Sequence, residues 1–179
     1  MVNIVDQIIF TFSNNKSLYI GEGLTISEHM IQTAMLAENN KSSSDLICSS
    51  LLHDYGHFIL ENPNNLISIG KDGKHEDVGY EFLKKYFVKD VLGPIKYHVK
   101  AKRYLVRDEK YYRILSEASK VSLKLQGGIM NNKEAIEFES NNFFENSIKL
   151  RKFDEQAKKV DVKIKSINEY KYLLKSKLI

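Results

Sequence analysis

Three scarcities narrow this 179-residue chain before any motif is read. It has one cysteine, Cys48, so no disulfide can close within the chain. Cys48 sits among Leu46, Ile47, Leu51 and Leu52, which marks it as a small buried hydrophobe. A single thiol leaves the redox compartment open and suits a cytoplasmic location. It has two prolines, Pro63 and Pro94, and no segment alternates polar and apolar residues with strong β-branched content. Both shortages favour helix over strand. No apolar run approaches the roughly 18 residues of a membrane span, and no basic segment precedes a long apolar one near residue 1. The expectation is a protein with neither membrane anchor nor signal peptide. The net charge of +4 is mild, and lysines alternate with acids instead of gathering into a stripe. That argues for solvated helix faces and against a nucleic-acid partner.

What is present reads as an all-α protein. Ile4, Ile8, Ile9 and Phe12 fall at helical spacing over residues 3–13. Thr25-Ile26-Ser27-Glu28 is a capping-box pattern, predicting a helix from there to about residue 39 with His29 in its first turn. Ser43, Ser44 and Asp45 open the next helix, which is expected to carry His53 and Asp54 and to end before Pro63. Residues 62–73, with Asn62, Pro63, Asn64, Asn65, Gly70 and Gly73, read as a loop on the substrate side. Further helices are expected at about 75–87, 89–104, 115–126, 132–140, 143–158 and 168–177, with Gln126-Gly127-Gly128 as a glycine stop. No repeat or linker divides the chain, so one domain over 1–179 is expected.

The five histidines carry the chemistry: His29, His53, His57, His75 and His98. Four of them, His29, His53, His75 and His98, with Asp54 beside His53 and Asp154 far downstream, provide six candidate ligands for two metal ions, provided one carboxylate is shared. Neighbours on a helix point about 100° apart, so His53 can ligate one ion while Asp54 reaches between two. A carboxylate suits a bridge because it has two oxygens. The assignment is His29, His53, Asp54 and Asp154 to the first ion, and Asp54, His75 and His98 to the second. The second then keeps open positions for substrate or dioxygen. Mixed imidazole and carboxylate ligation fits iron, manganese or zinc.

Polar residues recur one helical turn from these ligands: His57 after His53, Lys102 after His98, and Arg151 before Asp154. Ser119, Ser122 and Gln126 share one face of the 115–126 helix. Read singly, His57 is a packed histidine, Lys102 and Arg151 are surface charges, and the serines are ordinary helix residues. Read together, cations and hydroxyls converge beside two metals, as a phosphoryl or phosphonyl group requires.

Leu51-Leu52-His53-Asp54, with a histidine upstream and an aspartate well downstream, is the HD-domain ligand signature. Further segments sharpen the likeness: Tyr19-Ile20-Gly21-Glu22, His75-Glu76-Asp77-Val78-Gly79, His98 through Val106, Leu115 through Ser119, Gln126-Gly127-Gly128 and Leu150 through Glu155. Over about Tyr19 to Tyr172 the chain resembles the HD-domain mixed-valence di-iron oxygenases of phosphonate breakdown, with myo-inositol oxygenase a more distant relative. These oxygenases cleave 2-amino-1-hydroxyethylphosphonate with dioxygen to glycine and phosphate. The resemblance implies an HD-domain helical bundle and an Fe(II)/Fe(III) pair on the six ligands. It implies a phosphonate held by His57, Lys102, Ser119, Gln126 and Arg151, with Ser122 beside them. Asp54, His57 and Lys102 are the residues expected closest to the reaction. Tyr19 and Glu22 would lie on a mobile element, Glu22 reading the substrate's amino group and Tyr19 gating an iron. The implied chemistry removes the C1 hydrogen, oxygenates C1 and breaks the C–P bond. Ile129 replaces a proline of the family, and the 62–74 loop differs in length and composition. The alternative reading is a metal-dependent phosphohydrolase acting on a small phosphate ester; a regulator without catalysis is disfavoured because no ligand is missing.

Overall fold

A computed structural model describes residues 3–19, 21–60 and 69–179. Its helices are α1 (Ile4–Asn14), α2 (Ile26–Asn39), α3 (Ser44–Leu52), α4 (Gly56–Ile59), α5 (His75–Leu83) and α6 (Lys89–Leu105). They continue with α7 (Glu109–Ile114), α8 (Glu117–Leu125), α9 (Asn132–Glu139), α10 (Phe144–Gln156), a 3-10 turn (Ile167–Tyr170) and α11 (Lys171–Ser176). Among the described residues there is no strand, only isolated bridges pairing Leu18 with Thr25 and Phe87 with Leu178. The all-α expectation therefore holds. Most of the expected 62–73 loop, including Pro63, lies outside the described residues.

The apolar faces that periodicity picked out meet in one main core. Val5, Ile8 and Phe12 of α1 pack with Met30 of α2, Leu51 and Leu52 of α3, Ile95 of α6 and Leu174 of α11. Helix α10 packs across α6, α2 and α3, and α2 packs on α3. Each of these four helices carries, or directly precedes, a candidate ligand, so core packing also assembles the site. The capping box of α2 forms as expected: Thr25 Oγ1 accepts from Glu28 N, and Glu28 Oε2 accepts from Thr25 N at 2.7 Å. That fixes where α2 begins, and with it His29.

The helix expected to run through His53 and Asp54 is corrected by the structure. Helix α3 stops at Leu52, and His53, Asp54 and Tyr55 form a tighter turn before the single turn of α4. The backbone bonds there close over three residues: Tyr55 N to Leu52 O at 3.0 Å and His57 N to Asp54 O at 2.9 Å. Gly56 explains the break. A Cβ built on it would lie 1.9 Å from the His75 carbonyl oxygen, so the backbones of α4 and α5 touch. This contact sets His75 beside His53 and Asp54.

Other boundaries also move. The helix expected over 75–87 ends at Leu83, and the one over 143–158 ends at Gln156. Helix α7 was not anticipated; Asp108 caps it by accepting from Lys110 N. The helix expected at 115–126 begins at Glu117, because Ser116 takes the N-cap and accepts from Ser119 N. Gly127 and Gly128 end it with φ of 97° and 68°, and Gly128 N bonds Leu123 O at 2.9 Å, a Schellman stop.

Gly56→Ala should push α4 off α5. The expected cost is about 1–3 kcal/mol of stability, as for overpacking a tight contact. It should also displace His75 from its partners. Thermal unfolding and metal content read both effects; a variant matching the parent in each would refute the close-approach role of Gly56.

Candidate metal centre

Backbone geometry delivers the six candidate ligands to one place. His29 lies in the first turn of α2, His53 caps α3, and Asp54 occupies the turn after it. His75 opens α5, His98 lies on α6 and Asp154 on α10. All are buried except His75, whose side chain is 12% exposed.

They fall into two clusters that meet at Asp54. Asp54 Oδ2 lies 3.4 Å from His53 Nε2 and 3.7 Å from His29 Nε2. Asp154 completes that cluster, its Oδ1 3.3 Å from His29 Nε2. Asp54 Oδ1 faces the other way, 3.2 Å from His75 Nε2 and 3.5 Å from His98 Nε2. The two sets His29, His53, Asp154 and Asp54, His75, His98 each bring their ligand atoms within 4.8 Å of one another. The structure thus brings together the residues assigned to each ion from spacing, with one oxygen of Asp54 turned to each set.

The chemistry of these donors fits metal ions. Two atoms each about 2.1 Å from an ion sit ~3.0 Å apart at a right angle and ~3.4 Å at a tetrahedral one. His75 Nε2 and His98 Nε2 are 3.0 Å apart, and His29 Nε2 and His53 Nε2 3.3 Å. Three outer nitrogens are already committed: Nδ1 of His29, His53 and His98 lies 3.0, 2.9 and 2.7 Å from the carbonyls of Ala157, Ser50 and Ile95. With Nδ1 donating, each Nε2 is left with a lone pair aimed at the cluster. Asp54 Oδ2 and Asp154 Oδ1 are buried without a hydrogen-bond partner among the described residues. Orphaned carboxylate oxygens beside bare imidazole nitrogens are costly unless a cation joins them. Although burial opposes its charge, Asp54 is held well below the usual carboxylate range by His53 and His75. Asp154 is likewise held down, by Arg151 and then His29, against its burial.

Beside the clusters lies a cavity of about 450 Å³. Its wall includes every non-ligand site residue expected from sequence: Tyr19, Glu22, His57, Lys102, Ser119, Ser122, Gln126 and Arg151. Lys102 is 6% exposed and donates from Nζ to Ser122 Oγ at 2.8 Å. Burial and then the charge of Arg151 push its ammonium down to about 7. Arg151 is 2% exposed; it donates to Asp154 and Glu155 and, at 3.2 Å, to Ser119 Oγ. Gln126 Oε1 is buried without a hydrogen-bond partner among the described residues. His57 stacks on His75 with centroids 4.1 Å apart, and burial followed by the charge of His75 lowers it to about 3, so it is a neutral imidazole.

The segment before α2 explains why Tyr19 and Glu22 reach the site. Tyr19 N bonds Leu24 O at 2.7 Å and Ile26 N bonds Ser17 O at 3.0 Å, with Gly21 and Gly23 at positive φ, so the chain doubles back over α2. The Tyr19 ring stacks on His29 at 4.3 Å. Its phenol is raised well above its ordinary value by burial and then Asp54, and stays protonated.

Two buried residues of the site escaped the sequence reading. Glu155 accepts from Ser116 N at 2.8 Å and Ser119 Oγ at 3.0 Å, besides its bond from Arg151. Lys158 Nζ donates to Ser119 Oγ at 2.8 Å and Ser116 Oγ at 2.9 Å, and lies 3.2 Å from Glu22 Oε1. The one-turn rule that singled out Arg151 reaches Lys158 when run forward from Asp154, four residues on.

The family description "HD domain" matches residues 26–137. A [1-hydroxy-2-(trimethylamino)ethyl]phosphonate dioxygenase (glycine-betaine-forming) of Leisingera caerulea is 42% identical over 145 residues, 80% of this chain and 74% of the relative. A hydroxymethylphosphonate dioxygenase of Gimesia maris is 39% identical over 154 residues, 85% and 77% of the two chains. An uncharacterised protein of Acanthamoeba polyphaga mimivirus is 44% identical over 160 residues, 87% and 73%.

Two outcomes follow from the geometry. Asp54→Ala should lose both ions together on metal analysis, since each cluster uses one of its oxygens. One full-occupancy ion surviving in that variant would remove the bridge. The second outcome concerns pH. Lys102, brought down to about 7, is an ammonium below that pH and a neutral amine above it. Sulfate keeps its charge across the range, so its binding to metal-free protein should weaken roughly tenfold from pH 6 to 8.5, the scale of one charge-assisted contact. Lys102→Met should bind weakly with a flatter profile. Calorimetric titration checks this, and a parent profile as flat as the variant's would take Lys102 out of the anion site.

Proposed function

The chain belongs to the HD-domain family, and on that footing we propose that it is a di-iron oxygenase that cleaves the C–P bond of a 1-hydroxyphosphonate. The observation that carries the reading is one cavity joining two ligand clusters, with an oxygen of Asp54 facing each, to the buried cations Lys102 and Arg151. The relatives from Leisingera and Gimesia, named as phosphonate dioxygenases, support oxygenase over hydrolase chemistry. No helix among the described residues is long and apolar enough to cross a membrane, and the buried thiol of Cys48 suits the cytoplasm.

In this reading the bound irons, as an Fe(II)/Fe(III) pair, supply the redox chemistry and the electrophilic contact to substrate oxygens. The protein supplies position and charge. Lys102 and Arg151 neutralise the phosphonate, with Ser119, Ser122 and Gln126 as neutral partners. Neutral His57 joins these partners around the phosphonate and, through its stack on His75, keeps that ligand in plane. Tyr19 covers the His29 side and excludes water there. The overall change consumes one dioxygen per C–P bond and releases phosphate with the carboxylate of the remaining fragment.

For the far end of the substrate we favour 2-amino-1-hydroxyethylphosphonate, which would yield glycine. Glu22 is a carboxylate of the cavity wall placed to take an ammonium, which would share it with Lys158. Iron-loaded protein with this compound or with hydroxymethylphosphonate should take up one dioxygen per phosphate released, read by an oxygen electrode and a phosphate assay. Phosphate release without oxygen uptake would make the protein a hydrolase. Glu22→Ala should lose roughly tenfold or more on the amino compound, the scale of a lost charge-assisted contact, and little on hydroxymethylphosphonate. Equal losses on both would assign Glu22 to Lys158 alone.

A further inference from the structure

The four histidines of the two clusters are not held alike. Both histidines of the first cluster, His29 and His53, rest their outer nitrogens on backbone carbonyls, and so does His98 of the second. His75 differs. The polar atom that faces its Nδ1 is a carboxylate oxygen, Glu76 Oε2, at 3.6 Å. Both side chains are 12% exposed. Glu76 Oε2 is buried and has no hydrogen-bond partner among the described residues. The gap is a few tenths of an ångström too long for a hydrogen bond. The stack of His57 on His75, 4.1 Å between centroids and 15° between planes, holds the ring's plane and leaves it free to slide within that plane.

We propose that Glu76 is the positioning residue of the second ion's site, its carboxylate accepting the Nδ1–H of His75. This rests on the reading that Asp54, His75 and His98 hold an ion. The physical need is plain. The first cluster offers four protein ligands and the second three, so the second ion is held by fewer donors. A carboxylate behind an imidazole raises the ligand's basicity and fixes its tautomer, which a carbonyl does less strongly. Glu76 thus strengthens the site that must also keep positions open. Its place in the first turn of α5, directly after His75, lets one helix start present both ligand and partner. It also accounts for an otherwise costly buried carboxylate oxygen.

The role makes two predictions of opposite sign, which a packing role would not. Without metal, Glu76 Oε2 is an unpartnered buried oxygen, so Glu76→Ala should leave the Tm of the metal-free protein unchanged or raised. With metal, the same variant should bind its second ion about 10–100-fold more weakly while the first is kept, the usual cost of removing a partner behind a ligand. Glu76→Gln can accept the same N–H without the charge and should fall between parent and alanine. The experiment titrates Fe(II) into metal-free protein under anaerobic conditions, measures ions per chain and the two affinities, and records the Tm of each metal-free variant. A second-ion affinity less than tenfold below the parent's, a first ion weakened as much as the second, or a lowered metal-free Tm would each overturn the assignment. A parent that binds no second ion would instead defeat the two-ion reading itself.

Discussion

Everything at this site depends on one carboxylate facing two ways. Asp54 is 2% exposed, and its two oxygens address different sets of imidazoles. A buried carboxylate surrounded by bare nitrogens is tolerable only when positive charge sits among them. That demand fixes the rest. The turn at His53–Tyr55 has to be tighter than an α-helix to aim both His53 and Asp54 inward, Gly56 has to lack a side chain, and α5 has to begin against it.

A second constraint runs along α10 and past its end. Glu22, Lys158, Glu155, Arg151 and Asp154 form a buried series of alternating charge, each neighbour within ion-pair distance of the next. Burying such a series is tolerable because every member has a partner of opposite sign, whereas a lone buried ion would be costly. One end touches the segment before α2 and the other is a candidate metal ligand. A substrate anion entering beside Arg151 and Ser119 therefore meets cations that are already ordered, which lowers the cost of binding it.

Lys102 stands apart from that series. Among the described residues its side chain bonds a neutral hydroxyl, Ser122 Oγ, and burial followed by the charge of Arg151 is why its ammonium is weakened. A cation short of counter-charge is the one with most to gain from an arriving phosphonate. The same cavity thus holds paired cations that shape it and, in Lys102, a buried cation with no carboxylate partner among the described residues.

Much of this was legible in the residue order. Helical class followed from periodicity and scarce proline, the start of α2 from its capping box, the end of α8 from two glycines, and the six candidate ligands from the spacing of five histidines around the His53-Asp54 pair. The one-turn rule found Arg151 and Lys102 because neighbours at that spacing share a helix face whatever the fold. What residue order could not decide was anything set by contact between distant segments. The break after Leu52 needed the touch of Gly56 on His75, and the partners of Lys158 lie on α8 and the Tyr19–Glu22 turn, elements apart in the chain. Which oxygen of Asp54 serves which cluster depends on distances between helices. Local propensity and spacing choose the elements and the chemistry; only packing, which brings backbones and buried charges within a few ångströms, chooses the partners.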